Sequence, residues 1–472
     1  MRRHSTHSPG TDRTHVPGAG RVPPGPPRTA TFTLLRKLNW DRLGLMRLAA
    51  DGYGDAARLA IGPKVLYFFN HPDHAKHVLA DNAENYHKGI GLQQAKRALG
   101  DGLLTSEGEL WREQRKIIRP VFQNKRVAQQ AGIVADEAAS LVARLRAAGG
   151  GQPVDVVHEM TGLTLGVLGR ALLDADLGAY EAVGESFEAV QDQAMFEMVT
   201  LSLVPPWVPL PKQLRFRKAR RALQVVVDQL VADRAERSYG RDDVVSRLVE
   251  STRREADPRV GQQRMRDELV TLLLAGHETT ASTLAWAFHL VDRHPEVRER
   301  LHAEAVDVLG GRLPVYEDLH RLTYTSMVIN ETLRLFPPVW LLTRLAQQAD
   351  EIGGYAVPAG ADVLVCPYTL HRHPAFWHAP ERFDPERFDQ AAARSRPPYA
   401  YIPFGAGPRF CVGNHLGLME AVFVLAMVSR DLRLRSVPGH QVVPEPMLSL
   451  RVKGGLPMTV YPAPGAAAAP AA

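Results

Sequence analysis

The stretch FGAGPRFCVGN, residues Phe404–Asn414, places a cysteine among three glycines and directly before a run of mostly apolar residues. The whole chain has only two cysteines, Cys411 in this stretch and Cys366 in the apolar VLVCPY. Glycines permit a tight turn whose backbone N–H groups point at the Cys411 sulfur, and a helix that begins beside it favours negative charge there. These surroundings suit a thiolate that ligates a metal, and a small buried hydrophobe is the alternative for Cys411, whereas Cys366 is interpreted as core. The spacing that carries this interpretation comprises Phe404, Gly407, Arg409, Cys411 and Gly413.

The composition is that of a globular protein with a sizeable core. Hydrophobic residues make up 45% and charged residues 23% of the 472 residues. The net charge of +6 comes from interspersed charges, so a nucleic-acid partner is not expected. Two cysteines exclude a disulfide framework, a four-cysteine zinc site and an all-cysteine iron–sulfur cluster. The chain shows neither a secretion signal nor an uncharged apolar stretch of about 18 residues, which predicts a cytoplasmic protein without a transmembrane segment.

Composition and periodicity predict one large domain. Residues 1–28 are rich in proline, glycine, arginine and histidine and are predicted to be disordered, and residues 463–472 form a low-complexity tail. Residues 29–462 show no linker and no internal repeat. Helical periodicity dominates from Trp111 to about Leu335, whereas strand-like stretches such as AARLAIG, VLYFFN and IGGYAVPAGADVLVCPY lie towards the two ends. The predicted fold class is mainly α with small β-sheets (α+β), and a monomer is expected.

The pattern F-x-x-G-x-R-x-C-x-G from Phe404 to Gly413 resembles the heme-binding signature of the cytochrome P-450 monooxygenases, and every defining position is filled. The resemblance implies heme b, iron protoporphyrin IX, with Cys411 as the axial ligand of its iron. Phe404, Gly405 and Gly413 would then lie against the heme, and Arg409 would contact a heme propionate. The implied fold is a single triangular domain with the heme between a long distal helix and the Cys411 loop.

A second element of the resemblance is NETLRL, in which Glu331 and Arg334 lie three residues apart on one helix face. The same spacing in Glu109–Arg112 shows that it carries little weight alone, since a surface ion pair worth under about 1 kcal/mol is the ordinary case. Arg387 in FDPERF could complete a Glu–Arg–Arg network. By the resemblance this triad has a structural role and locks the helix to the segment before the Cys411 loop.

The third element is LLLAGHETTAST in a predicted long helix, where the glycine and threonines lower helix propensity and need a reason. The Thr279 hydroxyl can bond to the carbonyl of Ala275 and open a local bulge, and Gly276 lets a flat cofactor or dioxygen approach the backbone. By the resemblance, Ala275 and Gly276 belong to the distal oxygen-binding groove. Thr279 would hydrogen-bond the dioxygen being activated, and Glu278 would help to bring protons in. A polar helix face at a packing interface is the alternative.

The fourth element is LWREQRK, which places Trp111 and Arg115 one helical turn apart. It resembles the family's Trp-x-x-x-Arg, whose members reach a heme propionate. Arg344 in FPPVWLLTR is predicted to make another propionate contact. A stacked surface pair is the alternative for Trp111 and Arg115.

The resemblance extends from Thr29 to Tyr461 and implies a substrate pocket with apolar walls. A pocket without a charged anchor favours a hydrophobic small-molecule substrate. Ordinary core packing is the alternative for each of these positions. The predicted walls are Ile90, Leu92, Leu103, Phe196, Met198, Leu201, Leu273, Val339 and Leu341.

The predicted activity is hydroxylation, or oxidation in several steps, of a terpenoid or a similar secondary metabolite. O2 would be the co-substrate. NAD(P)H electrons would arrive through a separate ferredoxin and ferredoxin reductase, since the 61 residues after Cys411 contain no flavin fingerprint and too few cysteines for a ferredoxin. Arg112, Lys116 and Arg119 on the Trp111 helix would suit an acidic ferredoxin, although a solvated helix face has the same pattern.

Other functions stay open from the sequence. A fatty-acid or macrolide/polyketide hydroxylase would need the same motifs. A heme-thiolate enzyme that rearranges or couples its substrate without inserting oxygen is disfavoured by the intact Glu278–Thr279 pair. A heme-based gas sensor or carrier would not need that pair, and the sequence shows no signalling domain.

Overall fold

The computed structural model describes residues 20–465 with short gaps. The gaps are residues 63, 150, 176–180, 201–203, 206, 238–242 and 254, and the side chains of residues 181–185, 187, 198 and 233–237 are also outside the described part. Leu201 and the side chain of Met198, both predicted pocket residues, therefore lie outside the described residues. The same holds for residues 1–19 and 466–472 of the two predicted end segments.

Helices dominate the described part of the chain. It contains seventeen α-helices: α1 Thr31–Trp40, α2 Arg42–Tyr53, α3 Pro72–Lys76, α4 Leu92–Leu99, α5 Gly108–Ile118, α6 Asn124–Gln129, α7 Ala131–Ala147, α8 Val156–Leu168, α9 Glu181–Val199, α10 Pro211–Arg237, α11 Val244–Thr252, α12 Pro258–Arg293, α13 Pro295–Leu309, α14 Thr323–Leu335, α15 Pro367–Leu370, α16 Gln390–Ser395 and α17 Asn414–Asp431. The mainly helical class predicted from periodicity is confirmed.

The strands are short and form small sheets. In the described residues they are β1 Ala56–Ile61, β2 Lys64–Phe69, β3 Tyr86–Lys88, β4 Pro153–Asp155, β5 Leu342–Ala346, β6 Asp350–Ile352, β7 Tyr355–Val357, β8 Asp362–Val365, β9 Leu432–Ser436, β10 Pro444–Pro446, β11 Leu450–Val452 and β12 Pro457–Pro462. The largest sheet has the order β1-β2-β8-β5-β3, in which only β2 and β8 are parallel. A second sheet has the order β4-β12-β9, and β10–β11 and β6–β7 are antiparallel pairs.

Two helices with mostly buried side chains form the centre of the main core. Helix α12 is 36 residues long and begins after Asp257, whose side chain accepts a hydrogen bond from the backbone N–H of Arg259. Helix α17 follows the Cys411 loop and buries most of its apolar residues. The two helices approach closely, because a Cβ on Gly417 would lie 3.5 Å from the Thr280 hydroxyl oxygen. The Cys411 loop is thereby held next to α12.

The described helices differ in length and in apolar character. None of them combines the length and the apolar character that a membrane crossing needs.

Candidate active site

A tight loop holds Cys411 at the start of α17. The backbone N–H of Cys411 donates to the carbonyl of Phe404 at 3.0 Å, which closes the loop. Gly407 has a φ of 66°, and a Cβ there would lie 1.9 Å from the carbonyl oxygen of Leu79. A side chain at Gly407 would therefore be strained and would collide with backbone. The loop can pack against the π-helical segment His77–Asp81, which contains Leu79, only because residue 407 has no side chain.

The surroundings of the Cys411 sulfur combine burial with hydrogen-bond donors. Burial raises the pKa of the thiol, whereas the backbone N–H groups of Gly413 and Asn414 and the guanidinium of Arg115 oppose that rise. A thiolate needs such donors. Cys411 keeps accessible surface, so a ligand can reach this residue. Gly405, with a φ of 71°, supplies a further left-handed residue of the loop.

The middle of α12 presents an accessible groove within a mostly buried stretch. Ala275 is exposed and Thr279 half-buried. The Thr279 hydroxyl donates to the Ala275 carbonyl at 2.9 Å. Helix α12 nevertheless stays regular without the predicted bulge, because a carbonyl oxygen has two lone pairs and can accept both this bond and the helical one. A Cβ on Gly276 would lie 2.7 Å from the Leu168 side chain of α8, so helix packing also requires that glycine.

Residues from two distant segments hold the Glu278 side chain. The Ser449 hydroxyl donates to Oε1 of Glu278 at 2.5 Å, and the side chain of Gln191 in α9 also hydrogen-bonds to it. Burial raises the pKa of Glu278, and these bonds and the charge of Arg451 oppose the rise. Among the described hydrogen bonds, none joins Glu278 to Thr279. Sequence reasoning missed Ser449 and Gln191, and no local pattern marks either of them.

Trp111 and two arginines form a stack next to the Cys411 loop. The guanidinium carbon of Arg409 lies 4.5 Å, and that of Arg115 5.6 Å, from the centre of the Trp111 ring. Arg115 also donates to the carbonyl of Phe410 at 2.8 Å, and Arg409 forms an ion pair with Glu107. The structure thus brings together three of the residues predicted to contact the heme.

Lys88 and Arg344 lie side by side behind this stack. They are cross-strand partners in the antiparallel pair β3–β5. Burial and repulsion from Arg409 lower the pKa of Arg344 to about 10 and that of Lys88 to about 6. Lys88 donates to the carbonyls of Leu103 and Ser106 at 2.8 and 3.0 Å. Sequence reasoning missed Lys88, since a single lysine at the end of a short strand gives no signal. We name Arg115, Arg344 and Arg409 the cationic cluster. Lys88 lies beside it, and its lowered pKa leaves its amine mainly neutral at neutral pH.

The cationic cluster has little negative charge to balance it. Glu107 is already paired with Arg409. Burial raises the pKa of Glu268, which lies near Lys88, to about 8, so its side chain is mainly protonated at neutral pH. Buried cations need partners, and arginines match carboxylates best. The two propionates of a heme meet this need, and the Cys411 sulfur provides a ligand for its iron. The residues present therefore fit a heme.

The structure also brings Glu331, Arg334 and Arg387 together. Glu331 and Arg334 are 0% exposed and form a two-pronged ion pair at 2.6 and 2.7 Å. Nε of Arg387 lies 3.4 Å from the Glu331 carboxylate. Arg334 donates to the carbonyl of His371, and the backbone N–H of Asp384 donates to Glu331. These bonds attach α14 to the segment that leads to the Cys411 loop.

The predicted pocket residues differ in burial. Leu273 has no exposed surface and packs in the main core, so the structure does not place it on an open wall. An ion pair of 2.8 Å between Arg97 and Glu197 joins α4 to α9, the helices that carry Leu92 and Phe196. Six of the predicted residues are half-buried: Ile90, Leu92, Leu103, Phe196, Val339 and Leu341.

Comparison with known proteins gives the family. The sequence profile of the cytochrome P-450 family matches residues 23–458. The chain belongs to the cytochrome P-450 family. Its P-450 fold is also that of a solved structure, the cytochrome P450DA heme domain, with a TM-score of 0.83, 24% identity and coverage of 94% of this chain and 99% of that one.

Relatives of this P-450 include several bacterial enzymes. It is 37% identical to cyclooctatin synthase of Streptomyces melanosporofaciens, over 87% of this chain and 89% of that protein. It is 34% identical to cyclooctat-9-en-7-ol 5-monooxygenase of the same organism, over 85% and 87% of the two chains. It is 31% identical to pentalenene oxygenase of Streptomyces avermitilis, over 84% and 87%. This P-450 is accordingly a monooxygenase, an oxidoreductase that uses heme, O2 and electrons from a reductant.

Proposed function

We propose that this P-450 hydroxylates, or oxidises in several steps, a terpenoid or another hydrophobic secondary metabolite. The observation that carries the proposal is its likeness, at 31–37% identity, to enzymes whose names refer to cyclooctatin, cyclooctat-9-en-7-ol and pentalenene. The apolar character of the half-buried predicted walls, such as Ile90, Phe196 and Val339, supports a hydrophobic substrate.

Cys411 would bind the heme iron through its sulfur, and the N–H groups of Gly413 and Asn414, which oppose the rise in its pKa, would hydrogen-bond to the thiolate. The cationic cluster would hold the propionates, with Trp111 fixing the planes of Arg115 and Arg409. Bound heme supplies the iron at which dioxygen is reduced and cleaved. The residues that would hold the heme come from the Cys411 loop, α5 and β5, so they would also fix the orientation of the ring.

On the distal side, Thr279 and Glu278 would handle protons. The Thr279 hydroxyl donates to the Ala275 carbonyl, which leaves its lone pairs free to accept a hydrogen bond in the groove. Glu278 has a raised pKa and can therefore carry a proton into the cleft. Ser449 fixes the carboxyl in one position. Glu278 and Thr279 belong to separate hydrogen-bond groups, since Glu278 bonds to Ser449 and Gln191 and Thr279 bonds to Ala275.

Electrons would come from a ferredoxin and a ferredoxin reductase. Arg112, Lys116 and Arg119 are exposed on or next to α5, the helix that carries Trp111 and Arg115. Glu109 pairs with Arg112 at 2.8 Å, so the basic character rests mainly on Lys116 and Arg119. Charge complementarity with an acidic ferredoxin would speed the encounter.

A spectral screen tests the proposed substrate class. The purified heme-loaded protein is titrated with terpenes, fatty acids and macrolactones while the shift of the Soret band is recorded. We expect saturable shifts with terpenes, followed by a hydroxylated product when ferredoxin, reductase and NADPH are added. Tight binding and turnover only with fatty acids or macrolactones would contradict the proposal. A rearranged product that contains no added oxygen would also contradict it and would indicate an enzyme that does not insert oxygen.

A further inference from the structure

The outer face of α1 exposes aromatic side chains that the fold does not use. Phe32 is 79% and Trp40 81% exposed, and Leu35 is exposed as well. At roughly 100° per residue, these three and Arg36 fall within about 140° of arc on one side of the helix. The opposite side buries Leu34 in the core of the N-terminal region. Leu34 therefore anchors α1 to this core, and the outer face of α1 has no partner within the described residues.

The sequence around α1 holds the whole net charge of the chain. Residues 1–42 contain eight arginines and lysines and two aspartates, a balance of +6 that equals the net charge of all 472 residues. Residues 43–472 are therefore balanced. Lys37 is paired with Asp41 at 2.8 Å, but Arg28 and Arg36 lie exposed near the aromatic residues. An apolar face with this charge fits an anionic partner.

We propose that the outer face of α1, formed by Phe32, Leu35, Arg36 and Trp40, docks the protein on a bilayer that contains anionic lipids. Aromatic side chains are favoured at the level of the head groups, and basic residues beside them are attracted to anionic lipids. A helix can bury such a face in the interface without crossing the membrane. A second copy of this chain would bring like charges together, which disfavours it as the partner.

Vesicle flotation tests this docking surface. The full-length heme-loaded protein is mixed with vesicles of equal parts phosphatidylglycerol and phosphatidylcholine, or of phosphatidylcholine alone, and floated at low and high salt. We expect flotation with the anionic vesicles at about 50 mM NaCl and at least about a fivefold loss at about 500 mM, because salt screens the attraction. The variant Phe32→Ser/Trp40→Ser should lose binding by a similar factor.

A matched variant separates the α1 face from exposed apolar surface in general. Val306 and Leu313, 46% and 41% exposed, lie on or after α13, and Val306→Ser/Leu313→Ser should float as the wild type does. Both double variants should keep the wild-type melting temperature and heme spectrum, since none of the four side chains is buried. No flotation of the wild type, equal flotation of Phe32→Ser/Trp40→Ser, or equal loss in the control would overturn the proposal. A wild-type dimer that Phe32→Ser/Trp40→Ser dissociates would assign the face to a second copy instead.

Discussion

The Ser449 hydroxyl fixes the position of the Glu278 carboxyl. Beyond it, Arg451 pairs with Glu445 at 2.7 Å and lies 3.7 Å from Glu188, so charged groups continue from Glu278 to the half-exposed side chains of two other elements. Ser449 is thus a positioning residue for the proposed proton delivery.

Ser449→Ala should uncouple electron consumption from product formation. A hydrogen bond to a group that becomes charged is worth about 1.5–3 kcal/mol, so we expect roughly a tenfold or greater increase in the ratio of peroxide to product. The measurement compares NADPH consumed, product formed and peroxide released, together with the solvent isotope effect. Ser449→Thr keeps the hydroxyl and should restore coupling. Wild-type coupling in a normally heme-loaded Ser449→Ala protein would remove Ser449 from this role.

Glu268→Gln should alter the pH dependence of stability. Burial raises the pKa of Glu268 from 4.5 to about 8, so between these values the folded state keeps a proton that the unfolded state releases. The contribution of Glu268 to stability therefore falls as pH rises from about 5 to 8. The variant should gain on the wild type by up to about 1.4 kcal/mol per pH unit in this window. Denaturation at several pH values measures the gain, and the exposed Glu109→Gln serves as control. Parallel pH profiles of Glu268→Gln and wild type would show that Glu268 is ionised when folded.

Single residues also show how far the sequence could predict the site. Glu331–Arg334 and Glu109–Arg112 have the same spacing, yet the first pair is 0% exposed and the side chains of the second are 74% and 60% exposed. Only the order of motifs along the chain distinguished them. Lys88 and Ser449 were not predicted, because their roles come from contacts between distant segments. Ser449 lies 171 residues from Glu278, and no local pattern records such a contact.

Helices α4 and α9 are joined by the ion pair between Arg97 and Glu197. The Glu197 carboxyl accepts from Arg97 at 2.8 Å and from Gln193 at 2.8 Å, and its side chain is buried. These helices carry Leu92 and Phe196, which are predicted to face the substrate. Breaking the pair by removing one partner leaves a buried charge, whereas removing both charges does not.

Arg97→Gln should therefore loosen α4 and speed the entry of ligands. We expect several-fold faster association of phenylimidazole, read by stopped-flow absorbance of the heme, and a melting temperature lower by a few degrees. Arg97→Gln/Glu197→Gln should recover most of the lost stability, since it leaves no unpaired carboxylate. Equal association rates of phenylimidazole in the wild type, Arg97→Gln and the double variant would mean that the contact between α4 and α9 does not limit ligand entry.

The arrangement of elements was less predictable than their type. The helical run and the strands β1 and β2 follow from periodicity and residue type. The pairing of β3 with β5, and of β2 with β8, joins segments about 260 and 300 residues apart. Register between such strands depends on tertiary packing, which single-sequence patterns do not encode.

At the scale of the whole molecule, the cationic cluster couples folding to heme binding. Arg344 is 6% exposed, and the lowering of its pKa from 12.5 to about 10 corresponds to at most about 3 kcal/mol against the charged form. A ligand that supplies carboxylates removes this cost and so stabilises the folded state.

Arg344→Gln should consequently stabilise the heme-free protein and weaken the retention of heme in the heme-loaded protein. We expect the heme-free variant to melt at a higher temperature than heme-free wild type, because a buried cation is gone. The heme-loaded variant should lose heme faster, as measured by transfer to apomyoglobin. Arg112→Gln, which changes an exposed arginine of α5, should do neither. A heme-free Arg344→Gln protein less stable than heme-free wild type would contradict the repulsion described for the cluster.

The contact between Gly407 and the Leu79 carbonyl has a consequence for directed evolution. Because the loop backbone fits against segment His77–Asp81 with no room for a Cβ at Gly407, a side chain at this position requires the backbone of that segment to move. Libraries that diversify both at random would contain mostly misassembled enzymes. Positions on α4 and α9 carry no such constraint with the loop, so new substrate ranges are best sought there while the two coupled segments are inherited unchanged.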